Sequence, residues 1–139
     1  MAVQTHNIQF ETNGNGQIID ITGDVAQVVG GCGLRAGTVT IFSPSATTSL
    51  TTLEYESGCV ADLQRLFDEI ANPDRDYDHN ARWGDGNGHS HVRAALLGPS
   101  LVVPFVDADL MLGTWQKIVF VDFDNRSRSR RLVLQVIGE

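Results

Sequence analysis

Basic residues are scarce in this chain. Ten Lys and Arg stand against seventeen Asp and Glu, for a formal net charge of −7. Phosphate neutralisation dominates affinity for nucleic acid, so this balance argues against a DNA or RNA partner. Cysteine is almost missing as well. Cys32 and Cys59 are the only two and do not share a metal-like spacing, so they are expected to be reduced thiols in a cytoplasmic protein. No apolar run reaches 18 residues, and no membrane span is expected. The opening Met1-Ala2-Val3-Gln4-Thr5-His6 lacks the basic and apolar regions of a secretory leader.

Other signatures are absent too. Neither the Walker pattern nor the dinucleotide fingerprint occurs, so no nucleotide class follows. No Ser–His–Asp or Cys–His arrangement can be argued. Asp74, Asp76 and Asp78 begin an EF-hand register, but His79 stands where glycine is required and Asp85 where glutamate is required. Calcium binding of that kind is excluded. No repeat, low-complexity segment or linker divides the 139 residues, and 42% hydrophobic content suffices for one core without staples.

What the chain does contain is a run of alternating and helical patterns. Val3–Glu11 reads as a period-two strand, turned at Asn13-Gly14-Asn15-Gly16 into a second strand at Gln17–Ile21. Thr22 or Asp24 can cap a helix with Val25, Val28 and Val29 on its apolar face, ending at Gly30-Gly31 and Gly33. Strands are expected at Gly37–Ser43 and Leu50–Glu56, and a helix after Gly58 carries Val60, Leu63, Phe67 and Ile70 at helical spacing. Asn72–Gly88 reads as a long loop, followed by a short helix from Ser90 to Leu97. Strands at Ser100–Phe105, Trp115–Phe123 and Arg131–Ile137 close the chain, with Arg126, Arg128, Arg130 and Arg131 in a solvated arginine-rich turn. Helices and strands do not alternate regularly. The expectation is a compact single α+β domain with a mostly antiparallel sheet or sandwich and two to three helices.

The richest chemistry lies in Trp83-Gly84-Asp85-Gly86-Asn87-Gly88-His89-Ser90-His91. Glycine admits positive φ and close backbone approach, so three glycines in five residues suit a loop shaped around a ligand. His89 and His91 would point about 200° apart in a regular helix, too far apart to grip one ion. They could converge if Ser90 is the helix N-cap and His89 is extended. Otherwise one is a ligand and the other a supporting or substrate-facing group. His79 and Asp85 are further candidate ligands for a divalent metal such as zinc or magnesium. Loop histidines making ordinary hydrogen bonds are the plainer alternative.

Anion binding is a second candidate for the same stretch. Gly86, Asn87 and Gly88 leading into a helix N-terminus could present N–H groups to a phosphate. Arg82 and Arg93 could add forked hydrogen bonds, and Thr47 could donate a hydroxyl. Thr52, Glu54 and Glu56 share a face of the expected strand, where a desolvated Glu54 could act as general acid or base. A wet sheet face is the alternative there.

The motif just quoted, with Leu96-Leu97-Gly98-Pro99-Ser100, Gly113-Thr114-Trp115-Gln116 and the ending Gln135-Val136-Ile137-Gly138-Glu139, closely resembles the YjbQ-like family over nearly the whole chain. The resemblance implies a small α+β protein that forms homotrimers, with metal near the histidine-containing loop. Some members are described as secondary thiamine-phosphate synthases, joining a hydroxymethylpyrimidine pyrophosphate to a thiazole phosphate. By resemblance, His79, Asp85, His89 and His91 fall on the polar motif, and Glu54, Trp115 and Gln116 on other marked positions. Asp85 and the histidines would then serve as ion ligands or proton-transfer groups, and Glu54 would orient. Many members carry histidine where this chain has Ser45, a departure from the family pattern at that position. The competing implication is a non-enzymatic trimer that binds metal or a phosphorylated ligand.

Overall fold

Lys117–Asp122 explains the layering. Its central residues Ile118–Val121 are apolar on both faces, and all of the strand but Lys117 is buried, the pattern of a strand covered on two sides. In a computed structural model describing residues 1–139, this strand (β7) is the middle of a three-stranded sheet, flanked by β2 (Gln17–Asp20) and β4 (Thr48–Leu53). One face, through Ile118 and Phe120, joins the larger core. The other, through Val119 and Val121, meets Phe67 and Ala94 in a second core.

The larger core is closed by a five-stranded sheet ordered β1 (Ala2–Thr12), β8 (Arg128–Gly138), β3 (Ala36–Phe42), β5 (Ser100–Val106) and β6 (Asp109–Leu110). Every pairing in both sheets is antiparallel. Period-two alternation drives Val39, Ile41, Val103, Phe105, Leu132, Leu134 and Val136 inward, all at most 4% exposed. Helix α1 (Thr22–Gly31) caps this core with Val25 and Val29. Helices α2 (Ser57–Ile70) and α4 (Gly88–Leu97) cover the far side of the smaller sheet, and α3 (Asp78–Trp83) bridges them. No helix is long and apolar enough to cross a membrane.

The α+β, antiparallel expectation is met, with corrections in detail. Four helices form rather than two or three, because the stretch read as an Asn72–Gly88 loop contains α3. The strand read to Glu56 stops at Leu53, since the Glu56 carboxylate is drawn off to accept from the Gly58 and Cys59 amides (2.7 and 2.9 Å) and caps α2. Glu54 is therefore an exposed residue in the connection between β4 and α2, not part of a strand-borne row of acids. The arginine-rich turn is not uniformly solvated either. Arg130 sends Nε to Asp122 Oδ2 and Nη2 to Asp122 Oδ1 (2.8 and 3.1 Å), and Arg128 reaches Asp124 at 3.3 Å. Both aspartates are buried, and buried carboxylates require such partners.

Candidate functional site

Helix α4 begins at Gly88, with Asn87 as its N-cap residue, three residues earlier than a Ser90 cap would allow. Ser90 Oγ is engaged elsewhere, 2.5 Å from both Phe123 O and Asn87 Oδ1. His89 and His91 consequently both lie within the first turn, and helical geometry sends them to opposite sides. His91 is half-buried and meets His79 of α3, their ring centroids 4.5 Å apart. Asp85 completes the group: His79, Asp85 and His91 offer ligand atoms all within 4.8 Å of one another.

Each member is held by the backbone around it. Gly84 takes φ 67° to end α3 in the left-handed region and turn the chain towards Asp85. Asp85 Oδ1 accepts from the Asn87 amide at 3.1 Å, and Asn125 Nδ2 holds the Asp85 carbonyl at 2.8 Å. The second oxygen, Oδ2, lies 3.1 Å from His79 Nε2. The Asn87 amide, then His79, keep the Asp85 carboxyl below its ordinary range, so it is an anion at neutral pH. His91 Nδ1 lies 3.2 Å from the Ala46 carbonyl. Donation to that carbonyl fixes the tautomer and leaves the Nε2 lone pair free for an ion.

Two imidazoles and one carboxylate match the donor set of an open zinc site, three protein ligands with a further position for water or substrate. Magnesium, which prefers oxygen donors and keeps much of its water, suits the set less well. The residues thus fit a borderline divalent cation.

The family model "UPF0047 protein YjbQ-like" matches residues 6–139. The chain belongs to this family. A UPF0047 protein of Methanothermobacter thermautotrophicus is 36% identical over all of this chain and 95% of its own length. The UPF0047 protein YugU of Bacillus subtilis is 30% identical, covering 94% of this chain and 97% of its own. Among solved structures, a YbjQ-like protein of unknown function from Sulfolobus solfataricus superposes with TM-score 0.90 at 28% identity, covering 99% of this chain and all of the other. A hypothetical protein from Aeropyrum pernix does so with TM-score 0.90 at 31% identity, covering 98% and 99%.

The remaining candidates of this UPF0047 protein separate into groups. His89 is not with the proposed ligands. It is 5% exposed, its Nδ1 has no partner, and burial first, then the Arg93 charge, hold its imidazole below the ordinary value. Arg93 leaves the loop altogether, sending Nε to the Ala71 carbonyl and Nη2 to Asp68 (both 3.0 Å). Thr47 is buried and occupied by Asp124 and Arg130 (both 3.0 Å). Gly86 adopts φ 66° and serves the turn, while the Asn87 and Gly88 amides are taken by Asp85 Oδ1 and Asn80 Oδ1. The glycine stretch is thus folded onto itself, and these amides are not free for an anion. A Cβ on Gly88 would fall 2.6 Å from Tyr77 Cβ, which accounts for that glycine by packing. Arg82 is exposed in the last turn of α3, three residues from His79, and is in no ion pair.

Glu54, Trp115 and Gln116 are elsewhere. Leu53 pairs with Lys117 at one end of the small sheet, whereas Thr48 pairs with Asp122 at the other. The β4 strand between them spans roughly 16 Å at strand rise, so these three do not join His91 within one chain. Gln116 Nε2 instead donates to Thr52 Oγ1 at 3.1 Å.

Sequence reasoning missed Asp122, Asp124 and Arg130, because a buried ion network spread over two strands has no local pattern. Burial acts to raise the Asp124 carboxyl, but the Thr47 hydrogen bond and the Arg128 charge outweigh it and hold the group below its ordinary value. Ser45, at the position where many relatives were expected to carry histidine, accepts from Arg130 Nη1 at 3.1 Å. It also lines a surface hollow with His91.

Proposed function

We propose that this UPF0047 protein is a divalent-metal-dependent enzyme acting on a small phosphorylated ligand. Its reaction is of the thiamine-phosphate-synthase type, joining a hydroxymethylpyrimidine pyrophosphate to a thiazole phosphate. The observation that carries the reading is the convergence of His79, Asp85 and His91 from α3, the intervening turn and α4. A bound ion would supply charge stabilisation to the departing pyrophosphate. The chain's own residues do the holding: His91, oriented through the Ala46 carbonyl, and Asp85, anchored by the Asn87 amide. Arg82, three residues beyond His79 on the same helix, would meet ligand phosphate.

The test incubates the purified protein with both precursors and zinc or magnesium, beside Asp85→Asn and His91→Ala. Product from the wild type and none from either variant supports the proposal. Equal yield from all three, or none from any, contradicts a transferase at this site.

A second reading is a non-enzymatic metal-holding homotrimer. It draws on the outer face of the five-stranded sheet, where Val3, Phe42, Val102, Val106 and Ile137 are 36–61% exposed and no element covers them. It predicts a tightly held ion, loss of assembly on chelation, and no turnover.

A further inference from the structure

Helix α4 has a second functional side. Arg93, two residues from His91, points into the interior between α2 and β7, and its side chain is 6% exposed. A guanidinium cannot shed its charge, so each of its five N–H groups requires an acceptor. Three are accounted for: Nε and Nη2 reach the Ala71 carbonyl at 3.0 and 2.8 Å, and Nη2 also reaches Asp68 Oδ1 at 3.0 Å. The two on Nη1 have no acceptor in the protein. They belong to a side chain lining a half-enclosed cavity of about 190 Å³.

The other walls narrow what could enter. Ile18, Phe67, Val121 and Phe123 make one side apolar, and the Gln64 amide stands at the polar side. The Phe67 and Phe123 rings meet edge to face at 4.8 Å between centroids, giving the apolar side a rigid aromatic corner. A cavity of about 150 Å³ accommodates benzene, so this volume fits one ring with a small substituent. It is smaller than the roughly 300 Å³ or more of pockets for larger cofactors.

We infer that this cavity is a binding site for a small organic carboxylate. Its anionic group accepts from Arg93 Nη1 and its flat apolar body lies against Phe67 and Phe123. A donor-only cation at the inner end selects an acceptor, and a carboxylate meets a guanidinium edge with charge-assisted bonds. Asp68, 63% exposed at the rim, already offsets part of the Arg93 charge and so tempers the affinity for an anion. The inference is independent of the metal centre, because Arg93 and His91 leave the helix on opposite sides.

Benzoate, the isosteric neutral benzamide and inorganic phosphate serve as probes, titrated into the full-length protein. Methyl resonances of Ile18 and Val121 provide the readout. Benzoate should shift both, with benzamide weaker by about tenfold or more, the size of a charge-assisted bond. Arg93→Met should abolish that preference. Because Arg93 also ties down α2, a second variant guards against a folding defect. Asp68→Asn keeps an acceptor for Nη2 and should tighten benzoate by about two- to threefold, as expected of an exposed charge, leaving benzamide unchanged. Equal binding of benzoate and benzamide, no shift with either, or phosphate binding as well as benzoate would overturn the assignment.

Discussion

His89 and His91 differ by two positions, and the helix turns them to opposite fates. Replacing His91 by Ala removes one of three proposed ligands, and the protein should retain less than a tenth of the wild-type zinc after dialysis. His89→Ala should keep its zinc but unfold at lower denaturant, because a side chain 5% exposed is deleted from a packed site. Elemental analysis beside urea unfolding separates the two outcomes; zinc loss in both variants would contradict the geometry. Asp124 carries a pH dependence. Its folded carboxyl lies below the ordinary 3.8, so its contribution is complete above that value and is lost as pH falls through the lowered folded value. Asp124→Asn should cost about 1–3 kcal/mol at pH 7, leaving buried donors without their anion. The gap between wild type and variant should narrow below pH 4. Unfolding curves that stay equally separated at pH 7 and pH 3 would refute this.

At the scale of elements, what was readable and what was not follows from how each element is stabilised. Strands β1, β3, β5 and β8 bury alternate residues, so period two announces them. Helix α2 shows Val60, Leu63 and Phe67 on one face and was equally legible. Helix α3 has six residues and none buried, so no apolar period marks it. It is held by Tyr77, by Asn80 gripping the Gly88 amide, and by its glycine end. The start of α4 differs from a Ser90 cap for a related reason: Ser90, a good local cap, serves the carbonyl of Phe123, just past the end of β7, instead. The ligand set could be proposed from residue types, but excluding His89 required the true helix start. Gly88→Ala tests this coupling between elements. The added methyl meets Tyr77 and Asn80, and overpacking of this kind costs about 1–3 kcal/mol. The melting temperature should drop accordingly and zinc affinity should fall with it, since α3 and α4 each carry one of the proposed ligands. An unchanged melting temperature would contradict the packing role assigned to Gly88.

For the whole molecule, the outer face of the five-stranded sheet is the unusual feature. Rows such as Val3–Ile137–Thr38–Pro104 and Thr5–Gln135–Thr40–Val102 run across four strands, and nothing in the chain lies on them. The proposed homotrimer would cover this face. Val102→Asp, with the residue 57% exposed, should leave the monomer fold intact and shift light-scattering mass towards one chain at micromolar concentration. A wild-type protein that is already monomeric, or a trimer indifferent to Val102→Asp, would contradict that use of the face.

By this proposal, α3, the Asp85 turn and α4 build one metal site. Zinc-edge anomalous diffraction from crystals of the purified protein tests it most directly. A single strong peak is expected within bonding distance of His79, Asp85 and His91, and away from His89. A peak placed on His89, or none at all after zinc loading, would contradict it.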